Sequence, residues 1–287
     1  MKKLRIPTAR GTVLDGVCFS QGASDTVLIA ITGIHGNFYS NPFYYNIGHT
    51  LAAHGMDFIY AQTTDAFGEI ETENRRTGQK EIVGSWNEDF RNTDEDIEGY
   101  LAYAQQHGYQ HIILAGHSLG ANKVIYYLSR HPEAPIDHFL LLSPANLEHL
   151  TSVVTDWQKA LIRMAKATGQ GGKLLPFELL GWITCTVDTA YQWAIDNILD
   201  NVHVEPEKDF SQVERIQQGG AMIIGTWDNF TYGDPAGYLR TINAQMQTAK
   251  ENKLIFIEET GHQYHRKEQE LADRILELME SWKEEAA

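Results

Sequence analysis

A five-residue motif, Gly116-His117-Ser118-Leu119-Gly120, constrains the fold of this chain more than any other feature. It lies between an apolar, strand-like run at His111–Ala115 and a segment with a helical apolar stripe that begins at Ala121. A tight strand-to-helix turn holds a serine out of the sheet in a strained backbone geometry, and flanking glycines leave room for it. The motif therefore predicts a nucleophilic serine, Ser118, at the carboxyl end of a buried strand.

Strand-like and helix-like segments alternate on both sides of this motif. A hairpin is predicted over residues 3–19, and short apolar runs predict strands at Thr26–Thr32, Asp57–Ala61, Phe139–Leu142, Ala221–Gly225 and Leu254–Ile257. Helical patterns lie at Phe43–His54, between Thr93 and Gly108, after Gly120, at Pro235–Lys250 and in the C-terminal segment. The alternation predicts an α/β fold with a mostly parallel central sheet and helices on both faces.

Two segments depart from the alternation. Residues 65–90 form a long polar stretch that we interpret as a loop, followed by a helix that begins with a capping box of Thr93 and Asp96. After Pro144, two amphipathic helices replace the strand pattern, one marked by Val153, Trp157, Leu161 and Met164 and one running from Leu180 to Ile198. We therefore predict an α/β core over residues 1–145 and 219–287, with a helical cap at 146–218.

A serine nucleophile needs a base, and the base needs a carboxylate that orients it. His262 follows the last predicted strand and is our candidate base, while His265 is its competitor and is expected in the first helical turn. Asp228 leaves the preceding strand and is the candidate acid. Asp234 precedes Pro235 and is expected to cap the next helix instead.

Backbone N–H groups near Ser118 predict an oxyanion hole. The N–H of Leu119 lies at a helix N-terminus, where the dipole favours negative charge. The second donor is expected in the loop that follows the Thr26–Thr32 strand, and two registers stay open. In the first register, Thr32-Gly33 occupies the place of the usual His-Gly pair, and the N–H of the next residue, Ile34, is the donor. In the second register, His35-Gly36 occupies that place, and Asn37 is the donor. The length of the strand favours the first register. The residues predicted to line the substrate site here are Gly33, His35 and His117.

Net charge and cysteine content exclude other classes of protein. The net charge is −15, so binding of nucleic acid or of an anionic membrane would need a local basic patch, and no basic run exceeds Arg75-Arg76. No apolar stretch is long enough for a membrane span, and no signal-peptide core follows the N-terminus, which favours a cytoplasmic protein. Cys18 and Cys185 are expected to be reduced. Neither metal-ligand spacing nor a phosphate loop occurs, so no metal and no cofactor are predicted.

The segments ITGIHGN, GHSLGA, GTWDNF and ETGHQYH, in this order, resemble the α/β-hydrolase superfamily over nearly the whole chain. The polar stretch with GSWNEDFRNTDEDIEGYLAYA and GHSLGANKVIYYL is similar to a branch that includes fungal siderophore esterases. The resemblance implies Ser118 as nucleophile, Asp228 as acid and His262 as base, with Leu119 and Ile34 as oxyanion donors. The chain departs from the superfamily at Thr32-Gly33, where His-Gly is frequent, which leaves the second donor open.

The predicted cap is rich in aromatic residues, namely Trp157, Phe177, Trp182, Tyr191 and Trp193. We expect Trp157, Trp182 and Trp193 to contact substrate, because an apolar lid over a nucleophile favours a hydrophobic or aromatic group. The prediction is a carboxylesterase-like serine hydrolase for a small-molecule ester, with a homodimer left open. The alternatives are an amidase or peptidase, a thioesterase, an acyltransferase, and a binding protein without activity.

Overall fold

An eight-stranded sheet forms the centre of the protein in the computed structural model, which describes residues 1–285. The strands in chain order are β1 (Lys2–Pro7), β2 (Val13–Phe19), β3 (Thr26–Ile31), β4 (Asp57–Ala61), β5 (Ile70–Asn74), β6 (Gln79–Val83), β7 (His111–His117), β8 (His138–Leu142), β9 (Gly219–Gly225) and β10 (Lys253–Ile257). The sheet has the order β1-β2-β4-β3-β7-β8-β9-β10, while β5 and β6 form a separate hairpin. The six strands β4, β3, β7, β8, β9 and β10 run parallel to one another. β1 is antiparallel to β2, and β2 is antiparallel to β4.

Helices cover both faces of the sheet. They are α1 (Phe43–Ala53), α2 (Thr93–Gln106), α3 (Leu119–Arg130), α4 (Leu147–Thr151), α5 (Asp156–Ala167), α6 (Val187–Ala194), α7 (Pro235–Ala244) and α8 (Glu268–Glu285). One apolar cluster joins the sheet to α2, α3 and α7, and a second joins its other face to α1 and α8. The predicted α/β fold with a mostly parallel sheet is therefore confirmed. None of the described helices is both long and apolar enough to cross a membrane.

The central position of β7 brings the serine motif to the carboxyl edge of the sheet. Gly116 on β7 lies opposite Ile31 on β3 and Leu141 on β8, and all three strands run in the same direction. β3 is buried along its whole length, as its continuous apolar run predicted. The loops after β3, β7, β9 and β10 therefore meet at one edge of the sheet.

The prediction of a loop over residues 65–90 was wrong in part. β5 and β6 form an antiparallel hairpin in this segment, with Ile70 opposite Val83. Its strands are rich in Glu, Thr, Lys and Gln, and every residue except Asn74 is exposed or only partly buried, so no buried apolar run marked them. The predicted capping box was also wrong, because α2 begins at Thr93 itself and Asp96 accepts hydrogen bonds from Thr64 instead.

Residues 146–218, which we call the insertion, carry α4, α5 and α6 between β8 and β9. The second predicted helix is shorter than expected, because Leu180 and Gly181 have φ angles of 55° and 82° and form a turn. α6 begins after Thr186, whose hydroxyl accepts the N–H of Thr189. The helix predicted at Pro235–Lys250 likewise ends earlier, at Ala244.

The orientation of α5 differs from the one its apolar stripe suggested. Thr155 caps this helix through a capping box with Gln158, and only Ile162 is fully buried. Trp157 and Met164, from the predicted stripe, are 66% and 64% exposed. The stripe therefore faces away from the core.

Candidate active site

Ser118 lies in the turn between β7 and α3 with a backbone geometry that few residues adopt. Its φ and ψ angles are 55° and −127°, and its N–H donates to the carbonyl of Leu142 at 3.0 Å. A Cβ on Gly116 would lie 2.3 Å from the carbonyl oxygen of Gly120, and a Cβ on Gly120 would lie 2.3 Å from that of Ile31. Glycine is therefore required on both sides of the serine.

Three side chains from separate loops form one hydrogen-bonded line. His262 follows β10, and its Nε2 lies 2.8 Å from the Oγ of Ser118. The Nδ1 of the same ring lies 2.8 Å from the Oδ2 of Asp228, which follows β9. The N–H of Phe230 donates to the other carboxylate oxygen of Asp228 at 3.0 Å. This geometry suits Nδ1–H as donor to the carboxylate and Nε2 as acceptor from the hydroxyl.

Asp228 stays ionised although its side chain is only 1% exposed. Burial raises its pKa, but the hydrogen bond and charge of His262, with the hydrogen bond from the N–H of Phe230, outweigh burial and hold the pKa below the ordinary value. The carboxylate can therefore orient a neutral imidazole and stabilise an imidazolium.

The two competing residues lie elsewhere. The side chain of His265 is 83% exposed and is 3.8 Å from Glu268, which begins α8. His265 thus precedes the helix and does not lie in its first turn as we predicted. Asp234 caps α7, as expected, by accepting the N–H of Gly237 at 2.8 Å.

The loop after β3 packs directly on the serine turn. A Cβ on Gly33 would lie 3.0 Å from the Cβ of Ser118 and 3.3 Å from the N of Leu119. As the first residue of α3, Leu119 has no acceptor within the helix for its N–H. The N–H of Asn37 donates to the Oγ of Ser40 at 2.9 Å, so it is already engaged. Because the N–H of Asn37 is engaged and Gly33 lies against Ser118, this geometry favours Ile34 over Asn37 as the second oxyanion donor.

His35, on the same loop, connects this edge of the site to the insertion. Its Nε2 lies 2.6 Å from the Oγ of Ser85, and its ring meets the ring of Trp182 edge-on at 5.5 Å. Burial lowers the pKa of His35, although the charge of Asp65 opposes this shift. His35 is therefore a neutral hydrogen-bonding residue at neutral pH.

His117 does not line a substrate site, contrary to our prediction. It is 3% exposed, and its Nε2 lies 2.8 Å from the backbone carbonyl oxygen of His262. Its ring packs against those of Phe43 and His262, at centroid distances of 5.0 and 5.1 Å. His117, the residue before Ser118, points into the protein and contacts the loop that carries His262.

The aromatic residues of the insertion are distributed differently from our prediction. Trp193 is 1% exposed and packs on Phe90 in the apolar cluster that joins the insertion to the rest of the protein, so its ring is closed to solvent. Trp157 lies on the outward face of α5, and its ring is 6.3 Å from that of Phe177. Trp182 is 44% exposed and is the predicted tryptophan that reaches the loop after β3.

Sequence reasoning missed an aromatic cluster beside His262. The ring of Phe230 lies 4.5 Å from the ring of His262. The ring of His149, from α4, lies 5.9 Å from Phe230 and 4.6 Å from Tyr232. The signal available was the position of Phe230, two residues after the candidate acid.

A buried ionic cluster on α3 was also missed. The Nζ of Lys123 lies 2.8 Å from Asp65 and 2.8 Å from Glu88, and all three side chains are almost inaccessible to solvent. Burial and the neighbouring carboxylate of Asp65 raise the pKa of Glu88 to about 8, although Lys123 opposes this. The backbone carbonyl of Glu88 accepts the hydroxyl of Thr189 on α6, so the cluster joins α3 to the insertion.

A protein-family model described as serine aminopeptidase, S33, matches residues 27–208. No curated protein matches the sequence at a significant level.

Solved structures with the same fold cover nearly the whole chain. Est1E from Butyrivibrio proteoclasticus has a TM-score of 0.64 at 16% identity and covers 98% of this chain and 99% of its own. A monoacylglycerol lipase from Paleococcus ferrophilus has a TM-score of 0.65 at 15% identity, covering 94% and 99%. The esterase EaEST from Exiguobacterium antarcticum has a TM-score of 0.60 at 16% identity, covering 96% and 98%. At these identities the likeness shows a common fold.

Proposed function

The chain belongs to the serine aminopeptidase S33 family of the α/β-hydrolase superfamily, and from this premise we propose that it is a serine esterase. The proposed substrates are carboxylic esters with an apolar or aromatic acyl or alcohol group. The observation that carries the proposal is the hydrogen-bonded line from Asp228 through His262 to Ser118, with 2.8 Å at each step. Such a line is the arrangement that activates a serine hydroxyl.

In the proposed reaction, the Oγ of Ser118 attacks the ester carbonyl carbon while its proton moves to the Nε2 of His262. Asp228 stabilises the imidazolium that forms. The N–H groups of Leu119 and Ile34 stabilise the oxyanion of the tetrahedral intermediate, since both belong to backbone that borders the serine. The intermediate collapses as the alcohol leaves with the proton from His262.

A second half-reaction regenerates the enzyme. Water attacks the acyl group on Ser118 and gives a proton to His262, which acts as base again. The second tetrahedral intermediate expels the serine oxygen, which takes that proton back, and the carboxylic acid leaves. No other group is needed for the proton balance of either step.

The insertion supports the substrate preference. We propose that residues 146–218 form a cap over the serine, since Trp182 packs on His35 of the loop that borders Ser118. Phe230 and His149 add rings on the side of His262. A site bordered by rings on two sides favours an apolar or aromatic group and excludes water.

Amide cleavage is the second candidate, because the family model is described as serine aminopeptidase. An aminopeptidase must also bind the ammonium of a free amino-terminus. Asp65 and Glu88 are acidic side chains near the loop after β3, but both are buried against Lys123. Because Lys123 already pairs with both acidic groups, they are not free to bind a substrate ammonium, which favours an ester substrate over a peptide.

A substrate panel tests the proposal. Nitrophenyl esters of acetate, butyrate, octanoate and benzoate, together with methyl ferulate, are compared with aminoacyl nitroanilides. Methyl ferulate belongs in the panel because ferulic acid is bound in a structure of Est1E. We expect ester turnover with a preference for the larger acyl groups. Faster turnover of the nitroanilides would contradict the proposed ester specificity.

Phe230 offers a matched test of the aromatic preference. Phe230→Leu removes the ring that lies against His262 but keeps an apolar side chain, whereas Phe230→Tyr keeps the ring. We expect Phe230→Leu to lower kcat/KM for benzoate more than for acetate, with Phe230→Tyr close to wild type. An equal loss for both esters would show that the ring acts on the histidine and not on the substrate.

A further inference from the structure

Helix α5 turns an apolar strip towards solvent. Trp157, Ala160, Met164 and Ala167 are all exposed, and their spacing of three and four residues places them on one side of the helix. Trp157 and Met164 are 66% and 64% exposed. The opposite side of the helix contains the buried Ile162 and packs on the rest of the insertion. Large exposed apolar side chains in one strip indicate a surface with a partner.

Basic residues flank this strip on one side. They are Lys159, Arg163 and Lys166, and the one acidic residue of the helix is Asp156 in its first turn. Lys166 pairs with Asp188 at 2.5 Å, while Lys159 and Arg163 form no ion pair within residues 1–285. The helix therefore has a net charge of +2 in a chain whose net charge is −15.

We propose that this face of α5 docks onto an anionic lipid surface, with the helix axis parallel to the surface. A tryptophan with apolar neighbours and flanking Lys and Arg is the pattern of a helix that lies in a membrane interface. A chain with a net charge of −15 needs a local basic patch for such binding, and the helical spacing of Lys159, Arg163 and Lys166 builds one that is not visible as a linear run of cations. Acidic groups farther than about 10 Å from the patch are screened at physiological salt.

The positive charge of α5 favours an anionic lipid surface over a second copy of the chain as the partner of this face. Two α5 helices facing each other would bring Lys159 and Arg163 of both chains together, and like charges in a contact oppose association. Anionic lipid headgroups complement the same cations, each of which strengthens binding near such a surface. This docking is independent of the proposed esterase activity, because it uses no residue of the Ser118 line.

Vesicle flotation tests the docking with the full chain carrying Ser118→Ala, so that no lipid is hydrolysed. We expect the protein to float with vesicles of phosphatidylcholine mixed with phosphatidylserine, to float poorly with phosphatidylcholine alone, and to dissociate in high salt. The double variant Trp157→Ala with Arg163→Glu should lower the ratio of bound to free protein at least about fivefold. Both side chains are exposed, so its melting temperature should match that of the parent.

Ile82→Ser provides the matched control, since Ile82 is 53% exposed on the β5–β6 hairpin and should not affect flotation. Absence of flotation with anionic vesicles would overturn the proposal. An equal loss in the Ile82 variant would overturn it as well. Self-association in size-exclusion chromatography that Trp157→Ala abolishes, without vesicle binding, would assign the face to a second copy instead.

Discussion

The Nε2 of His117 lies 2.8 Å from the backbone carbonyl oxygen of His262, so the residue before the serine holds the loop that carries the candidate base. Burial and the neighbouring charge of His262 lower the pKa of His117 to about 3. The ring is therefore neutral at physiological pH and can donate its Nε2–H to that carbonyl. This contact fixes the backbone of His262 independently of the bond between its own ring and Asp228.

Replacement of His117 tests this positioning role. The amide nitrogen of Gln reaches about as far as the Nε2 of His and can donate, whereas Met has a similar length and no donor. We expect His117→Met to lower kcat about 10- to 100-fold with little change in KM, because a small displacement of His262 slows proton transfer. His117→Gln should retain most of the activity. The kcat of each variant is calculated per active site, as counted by active-site titration. A similar loss of kcat in both variants would show that His117 contributes only packing and not its hydrogen bond.

The depressed pKa of His117 also predicts a pH dependence of stability. Below the ordinary histidine pKa of about 6.5 the unfolded chain binds a proton that the folded chain does not, so the free energy of unfolding falls as pH falls towards 3. The loss from this group is about 2 kcal/mol at pH 5 relative to pH 8. His117→Gln should lack this part of the slope in urea unfolding between pH 8 and pH 5. An unchanged slope would show that His117 titrates normally in the folded chain.

Gly33→Ala tests the contact between the loop after β3 and the serine turn. A Cβ on Gly33 would lie 2.8 Å from the carbonyl oxygen of His117 and 3.0 Å from the Cβ of Ser118. The loop must move away, which displaces the proposed oxyanion donor, so we expect kcat to fall about 10²- to 10³-fold. Gly22→Ala is the control, because no atom lies within 4 Å of a Cβ there. Wild-type kcat in Gly33→Ala would place the oxyanion hole elsewhere.

The Lys123 cluster predicts opposite results for two isosteric changes. Lys123→Met leaves Asp65 and Glu88 buried together without a cation, which should cost about 3–5 kcal/mol of unfolding free energy. Glu88→Gln should cost less than about 1 kcal/mol, because burial and the charge of Asp65 raise the pKa of Glu88 and so favour the protonated carboxyl, which Gln resembles. Urea unfolding at pH 7 measures both. Similar losses would mean that Glu88 is ionised in the folded chain.

The sequence predicted those parts of the fold whose signal is local. The buried strands β3 and β7 are continuous apolar runs, and the turn at Ser118 is marked by glycines that the backbone requires. The hairpin of β5 and β6 was not predicted because both strands are largely polar and neither has a continuous buried apolar run. The helix pattern over Leu180–Ile198 was misleading because two consecutive positive φ angles interrupt it, and only one of those residues is a glycine.

The remaining features depend on tertiary contacts that no spacing encodes. His117 and His262 are 145 residues apart, so their hydrogen bond follows from the sheet order alone. The stripe on α5 predicted an amphipathic helix correctly, but periodicity does not tell which apolar residues face the core. Ile162 does so, whereas Trp157 does not. The roles of Ser118, Asp228 and His262 stay predictions that activity must test.

Labelling with a fluorophosphonate probe tests the central claim most directly, because the probe bonds covalently only to an activated serine. We predict stoichiometric labelling of the wild-type chain, none of Ser118→Ala, and wild-type labelling of Asp234→Ala, in which only the cap of α7 is lost. All three proteins should be folded by circular dichroism. A folded wild-type chain that does not react, or a Ser118→Ala variant that still reacts, would contradict the assignment of Ser118 as the nucleophile.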